Sequence, residues 1–144
     1  MTMVRLIYTS QLSENCGVPE VRSILKAARG NNPKIGVTGL LCYDPSHFMQ
    51  WIEGERNTIS RLYHSIAADP LHANVVLLDY GEIFRREFAK WSMAYVNPSD
   101  VSQDIIFRYC SGNELNPYSM SAEAARNFLI DIANVKRSSL DSDI

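Results

Sequence analysis

The sequence is poor in the features that mark several common functional classes. Its three cysteines, Cys16, Cys42 and Cys110, are odd in number and widely spaced, which suits neither a disulfide framework nor a zinc site and reads as reduced thiols. A basic patch is absent: 14 Lys and Arg against 16 Asp and Glu leave a net charge of −2, which gives no ground for a nucleic-acid partner. No apolar run is long enough to span a bilayer, and Met1-Thr2-Met3-Val4-Arg5 leads straight into strand-like sequence without a secretory core. The expectation is a cytoplasmic protein with no membrane contact. The seven glycines are scattered, and Gly-x-Ser-x-Gly, the P-loop and Gly-x-Gly-x-x-Gly are all missing. His47, His64 and His72 fall at unrelated spacings without paired carboxylates, which argues against a metal. The common hydrolytic, nucleotide-binding and metal-dependent enzymes are therefore disfavoured, and no enzymatic activity is expected.

What is present is an ordinary globular composition, 46% apolar and 21% charged over 144 residues, enough for one domain. The informative stretch is His47-Phe48-Met49-Gln50-Trp51-Ile52-Glu53-Gly54. Alternation along a strand puts Phe48, Gln50 and Ile52 on one face and Met49 and Trp51 on the other. Both faces are apolar, so the strand is covered on two sides and the Gln50 carboxamide points into a core. An unsatisfied buried amide costs about 1–3 kcal/mol per group, so Gln50 needs a partner.

Around it, residues 3–9 read as a first strand with Leu6 and Tyr8 on one face. Pro19 opens a helix carrying Val21, Ile24, Leu25 and Ala28 up to a stop at Gly30. Asn31-Asn32-Pro33-Lys34 reads as a turn, Ile35 to Tyr43 as a second strand, and Asp44-Pro45-Ser46 as the hairpin into the third. Ile59, Leu62, Tyr63 and Ile66 mark a second helix, closed by Asp69-Pro70. Residues 74–80 and 91–96 read as strands four and five, with Phe84-Arg85-Arg86-Glu87-Phe88 between them as a solvated loop. The order βαββαββ predicts an α+β fold, a ferredoxin-like sandwich with a five-stranded sheet and both helices on one face. Two further helices, one bearing Val101, Ile105, Ile106 and Tyr109 and one capped by Ser121 and bearing Ala125, Phe128, Leu129, Ile132 and Ala133, are expected to cover the other face. Residues 137–144 are polar and expected to fray.

The remaining chemistry lies in neutral groups: Tyr8, Asn31, Asn32, Gln50, Trp91 and Met93. Taken singly, Tyr8 reads as a core tyrosine, the two Asn as a turn, and Trp91 with Met93 as one face of a packed strand. Gln50 resists such a reading, because interior strand positions rarely hold an amide that is not engaged.

Together these residues carry a resemblance. Arg5-Leu6-Ile7-Tyr8-Thr9-Ser10, Asn31-Asn32-Pro33-x-x-Gly36-Val37-Thr38-Gly39-Leu40-Leu41-x-Tyr43, Phe48-Met49-Gln50-x-x-Glu53-Gly54, Asp69-x-x-His72 and Trp91-Ser92-Met93 resemble, in order and spacing, the BLUF family of blue-light sensors using FAD. The C-terminal helices are similar to those of its short stand-alone, PixD-like members. The resemblance implies a flavin-binding domain over residues 1–97 and a helical cap over 98–136 in the same structural unit. It implies bound FAD, with FMN and riboflavin as alternatives. Tyr8 would be the electron and proton donor and Gln50 the amide between Tyr8 and the flavin. Asn32 and Asn31 would hold the two carbonyl sides of the ring, with Ile24, Val37, Phe48 and Ile66 lining it and Asp69 and His72 completing the site. Trp91 and Met93 would be output-strand residues. The signal would pass to a separate protein, response-regulator-like or otherwise, from a homo-oligomer. The rival readings are a hydrolase of the acylphosphatase type, which lacks its glycine-rich, arginine-bearing cradle here, and a colourless interaction module.

Overall fold

The computed structural model describes residues 2–14 and 16–142. Nine elements follow one another: β1 (Met3–Leu12), α1 (Val18–Ile35), β2 (Thr38–Tyr43), β3 (His47–Glu55), α2 (Arg56–Ala68), β4 (His72–Ile83), β5 (Ala94–Val96), α3 (Gln103–Tyr109) and α4 (Ala122–Ser142). The sheet runs β4-β1-β3-β2-β5. β1 is antiparallel to both β3 and β4, β2 is antiparallel to β3, and β5 lies parallel to β2 at the edge. This is the expected ferredoxin-like α+β arrangement.

Alternation along the strands builds two cores. Phe48 and Ile52 of β3 join Leu6 and Tyr8 of β1 under Val21 and Leu25 of α1 and Ile59 of α2. Met49 and Trp51 join Ile7, Leu40 and Cys42 under Ile106 of α3 and Phe128, Leu129 and Ile132 of α4. Each large side chain so buried is worth about 1.5–3 kcal/mol, which is why a strand apolar on both faces settles at the middle of a covered sheet.

Five local expectations are corrected. The first helix does not stop at Gly30; it carries Asn31, Asn32 and Pro33 and ends at Gly36, which takes the left-handed conformation with φ of 69°. A glycine inside a helix costs only about 1 kcal/mol, and the main-chain carbonyl of Asn32 accepts from Gly36 and Val37, so the helix turns on to a residue that can leave it. Strand two accordingly begins at Thr38, leaving Ile35 on the helix and 45% exposed. Strand five is only Ala94–Val96, so Trp91 and Met93 precede it and do not share a strand face. The segment 84–88 is not simply solvated: Phe88 is 1% exposed. Arg86 donates to Thr38 Oγ1 and to the carbonyls of Gly36 and Glu53. Finally, α4 continues past residue 136 to Ser142, with Arg137 anchored to Glu87 O at 2.9 Å. Residues 143 and 144 of the expected tail lie outside the described residues.

Ser121 caps α4 as expected, its hydroxyl accepting from Ala124 N at 3.1 Å. Among the described residues no helix is long and apolar enough to cross a membrane, and no group of three His, Cys, Asp or Glu could hold a metal ion.

Candidate functional site

Antiparallel register sets Tyr8 of β1 directly opposite Gln50 of β3, with both side chains on the face covered by α1 and α2. Tyr8 OH donates to Gln50 Oε1 at 2.5 Å, and Gln50 Nε2 donates to Met93 Sδ at 3.2 Å. The amide is thus engaged at both ends, as its burial requires. Burial raises the Tyr8 phenol well above the ordinary tyrosine range, with the nearby Tyr63 and Asp69 adding to the effect. It stays protonated and donating.

Two rings border this pair. His72 lies 4.9 Å from the Phe48 ring and 6.2 Å from the Tyr8 ring, and its Nδ1 is 2.8 Å from Ser10 Oγ. Burial lowers the His72 pKa, with Asp69 pulling the other way, so the imidazole is neutral near pH 7. Tyr63 of α2 approaches Tyr8 at 5.9 Å between centroids. Asp69 ends α2 and accepts from Leu71 N at 2.9 Å, which shapes the turn into β4.

The two helices over this face stand apart, with little direct contact between them. Ile59 is the one fully buried residue of α2, whereas Leu62, Tyr63 and Ile66, and Ile24 and Ala28 of α1, are only partly covered. Val37 is buried beside them. We call the slot the strip of this face between the two helices, where half-covered apolar side chains pack over Tyr8, Phe48 and Gln50. Among the described residues the buried carboxylates are Glu53 and Asp79, and their partners Trp51 and Arg126 belong to the opposite face. The slot therefore suits a flat, uncharged ring with polar edges.

The inner end of the slot is tied to the segment before β5. Asn32 is 4% exposed, and its Nδ2 donates to Ser92 O at 2.6 Å. Asn31, the next residue round a helix that turns about 100° per residue, is exposed instead. Arg29 Nε donates to Met93 O at 3.0 Å, and Gly39 N donates to Trp91 O at 2.9 Å. Glycine is required at position 39, since a Cβ there would overlap Trp51 O and come within 3.2 Å of Met93 Cε. Met93 belongs to the slot face, whereas Trp91 packs with the opposite core, stacked on Phe88 at 5.6 Å and 7°. The strand-face reading of that pair fails because period-two alternation does not hold in a loop.

Sequence reasoning missed Glu53, which is fully buried and accepts from Thr38 Oγ1, Trp51 Nε1, Glu87 N and Phe88 N. The signal was present: Glu53 shares the strand face of Met49 and Trp51, and an acid on a buried apolar face must be satisfied by donors from elsewhere. It also missed Arg86 and Arg29, whose distant partners leave no local trace.

Comparison with known proteins narrows the ligand. The model of the family described as sensors of blue-light using FAD matches residues 3–94. The chain is 33% identical over 93 residues to the blue light- and temperature-regulated antirepressor BluF of Escherichia coli (strain K12), a match covering 63% of this chain and 23% of that protein. It is 33% identical over 91 residues to the photoactivated adenylate cyclase subunit alpha of Euglena gracilis, covering 62% of this chain and 9% of that one. The chain thus spans less than a quarter of the length of these relatives. Among solved structures, the ground state of BlsA superposes with a TM-score of 0.83 at 31% identity, covering 90% of this chain and 87% of that one. The residues present fit such a ring: the face under α1 and α2 is apolar, Asn32 and Gln50 are buried neutral amides, and the buried carboxylates among the described residues, Glu53 and Asp79, have partners on the opposite face. The chain belongs to the family of sensors of blue light using FAD.

Proposed function

We propose that this chain senses blue light through the hydrogen-bonded run Tyr8–Gln50–Met93 and passes the result to a separate protein. The observation that carries the reading is that run itself: a buried phenol donates to an amide whose other end rests on a thioether. A bound flavin supplies the blue absorption and, once excited, a strong pull on one electron. Tyr8 answers that pull. In the flavin-loaded chain Tyr8 would give an electron to the ring and its proton to Gln50 Oε1, the acceptor 2.5 Å away, and both would return to the phenol in the dark.

Gln50 is the switching element. Sulfur is a weak acceptor, so the bond from Gln50 Nε2 to Met93 Sδ is surrendered at a cost of order ~1 kcal/mol. Rotation or tautomerisation of the amide would present a donor to Tyr8 in place of the acceptor and give up the sulfur contact, and light would shift the population toward that second form. Asn32 and Asn31 would hold the two carbonyl sides of the ring, Ile24, Val37, Phe48 and Ile66 would line it, and Asp69 and His72 would complete the site. FAD is the family's flavin, and FMN and riboflavin carry the same ring into the same slot.

The output goes to a signalling protein, response-regulator-like or otherwise, from a self-associated form of this chain. Pull-down in light and dark and light scattering test these two points. The photochemical reading is tested by Tyr8→Phe. The flavin-loaded parent is expected to red-shift reversibly in blue light and the variant to bind flavin without the shift. A normal shift in Tyr8→Phe overturns the donor assignment.

A further inference from the structure

We propose that Arg137 of α4 is the positioning residue that reads the segment 87–91 and ties its placement to the C-terminal helix. The inference rests on the light-sensing reading above. It moves the line of communication away from strand β5 and onto the loop that precedes it.

Residues 86–93 are gripped from three directions. From α1, Arg29 and Asn32 hold the carbonyls of Met93 and Ser92. From β3, the Glu53 carboxylate accepts from Glu87 N at 3.0 Å and Phe88 N at 2.8 Å. From α4, Arg137 reaches Glu87, Phe88 and Trp91 of this segment together, while its Nη1 also donates to Asn134 Oδ1 of its own helix at 3.0 Å. Its guanidinium lies 5.1 Å from the Trp91 ring centroid and 5.4 Å from that of Phe88. Its Nη2 donates to Glu87 O at 2.9 Å, and its Nη1 stands 3.6 Å from Glu87 Oε1. The neighbouring Lys136 donates to Tyr95 O at 2.9 Å, so consecutive α4 residues hold the chain on either side of Met93.

The geometry makes this grip sensitive to Met93. Gln50 touches Met93 Sδ directly, and Trp91 lies two residues away under the guanidinium. Loss of the sulfur contact releases the Met93 side chain, while Arg29 still holds its carbonyl, and a displacement passed along the two residues to Trp91 shifts that ring against Phe88. Both holds of Arg137, stacking on a pair of parallel rings and a hydrogen bond to a carbonyl, are short-ranged and fall away with small displacements. A lysine supplies the charge for Glu87 but neither the plane nor the fork, so it cannot substitute.

The test uses the full flavin-loaded chain, read by visible absorption and by amide hydrogen exchange along residues 130–138, in the dark and under blue light. In the parent, exchange in α4 is expected to rise several-fold in light. In both Arg137→Gln and Arg137→Lys the red shift should persist, which also shows that the variants are folded, while light and dark exchange become equal. A light-dependent rise of parental size in Arg137→Gln, or full rescue by Arg137→Lys, overturns the inference. A parent that red-shifts without any change in α4 overturns it while leaving the light-sensing reading intact, whereas a parent that does not red-shift sinks both.

Discussion

Replacing Glu53 by Gln tests how the loop before β5 is held. Four donors converge on the carboxylate: Trp51 Nε1 and Glu87 N on Oε1, each at 3.0 Å, and Thr38 Oγ1 and Phe88 N on Oε2, each at 2.8 Å. If the new NH2 group takes the place of Oε1, it faces two N–H groups that cannot accept. In the place of Oε2 it meets the Thr38 hydroxyl, which can turn and accept, and only Phe88 N–H is stranded. The second arrangement is the cheaper. It costs about 1–3 kcal/mol for one orphaned buried donor, plus the charge assistance lost by the two surviving bonds, less the desolvation that an amide avoids. The net is roughly 2–4 kcal/mol, or a fall in Tm of about 5–15 °C for a chain of this size. Urea denaturation followed by circular dichroism should show a lower midpoint at unchanged slope, with faster amide exchange at Glu87 and Phe88. A midpoint change equivalent to less than about 0.5 kcal/mol, with those two amides still protected, refutes the role assigned to the carboxylate.

Two further perturbations follow from the same geometry. Trp91→Ala removes a ring that packs on Phe88 under Arg137 and lies outside the slot, so dark recovery and output should change while flavin affinity stays within a few-fold. Transient absorption and flavin titration check this, and a large loss of affinity with unchanged recovery contradicts it. Burial lowers the His72 pKa from its ordinary value of 6.5, so as the pH falls the unfolded chain takes up this proton before the folded one does. The stabilisation from a neutral His72 is therefore complete above about pH 6.5 and is lost as the pH falls below it. Urea midpoints measured from pH 7.5 down to 5 should decline more steeply in the parent than in His72→Gln, and parallel curves would exclude the effect.

The parts of the fold governed by local periodicity were legible. Alternation through Phe48–Ile52 predicted a doubly covered strand, and it placed Gln50 on the face where Tyr8 meets it. What could not be read locally depends on contacts between distant segments. Asn31-Asn32-Pro33 carries every mark of a turn, yet Asn32 is worth keeping in the helix because its side chain holds Ser92 O sixty residues away. Phe84 to Phe88 reads as a charged loop, and Phe84 is indeed 90% exposed, but Glu53 and Arg86 draw the same stretch inward until Phe88 is sealed. Trp91 and Met93 look like a strand pair by spacing alone, and only the late start of β5 sends them to opposite cores. The extent of α4 was hidden for a similar reason: Arg137 gains its partners from Glu87 and the rings of Phe88 and Trp91.

The central claim is that the Gln50 amide, held between a phenol and a sulfur atom, is what light rearranges. The most direct measurement is the light-minus-dark visible spectrum of the flavin-loaded chain beside that of Gln50→Leu, which keeps the slot apolar but removes both hydrogen bonds. The account predicts a reversible red shift in the parent and none in the variant, with flavin still bound. A Gln50→Leu protein whose dark spectrum and photocycle match those of the parent would contradict it.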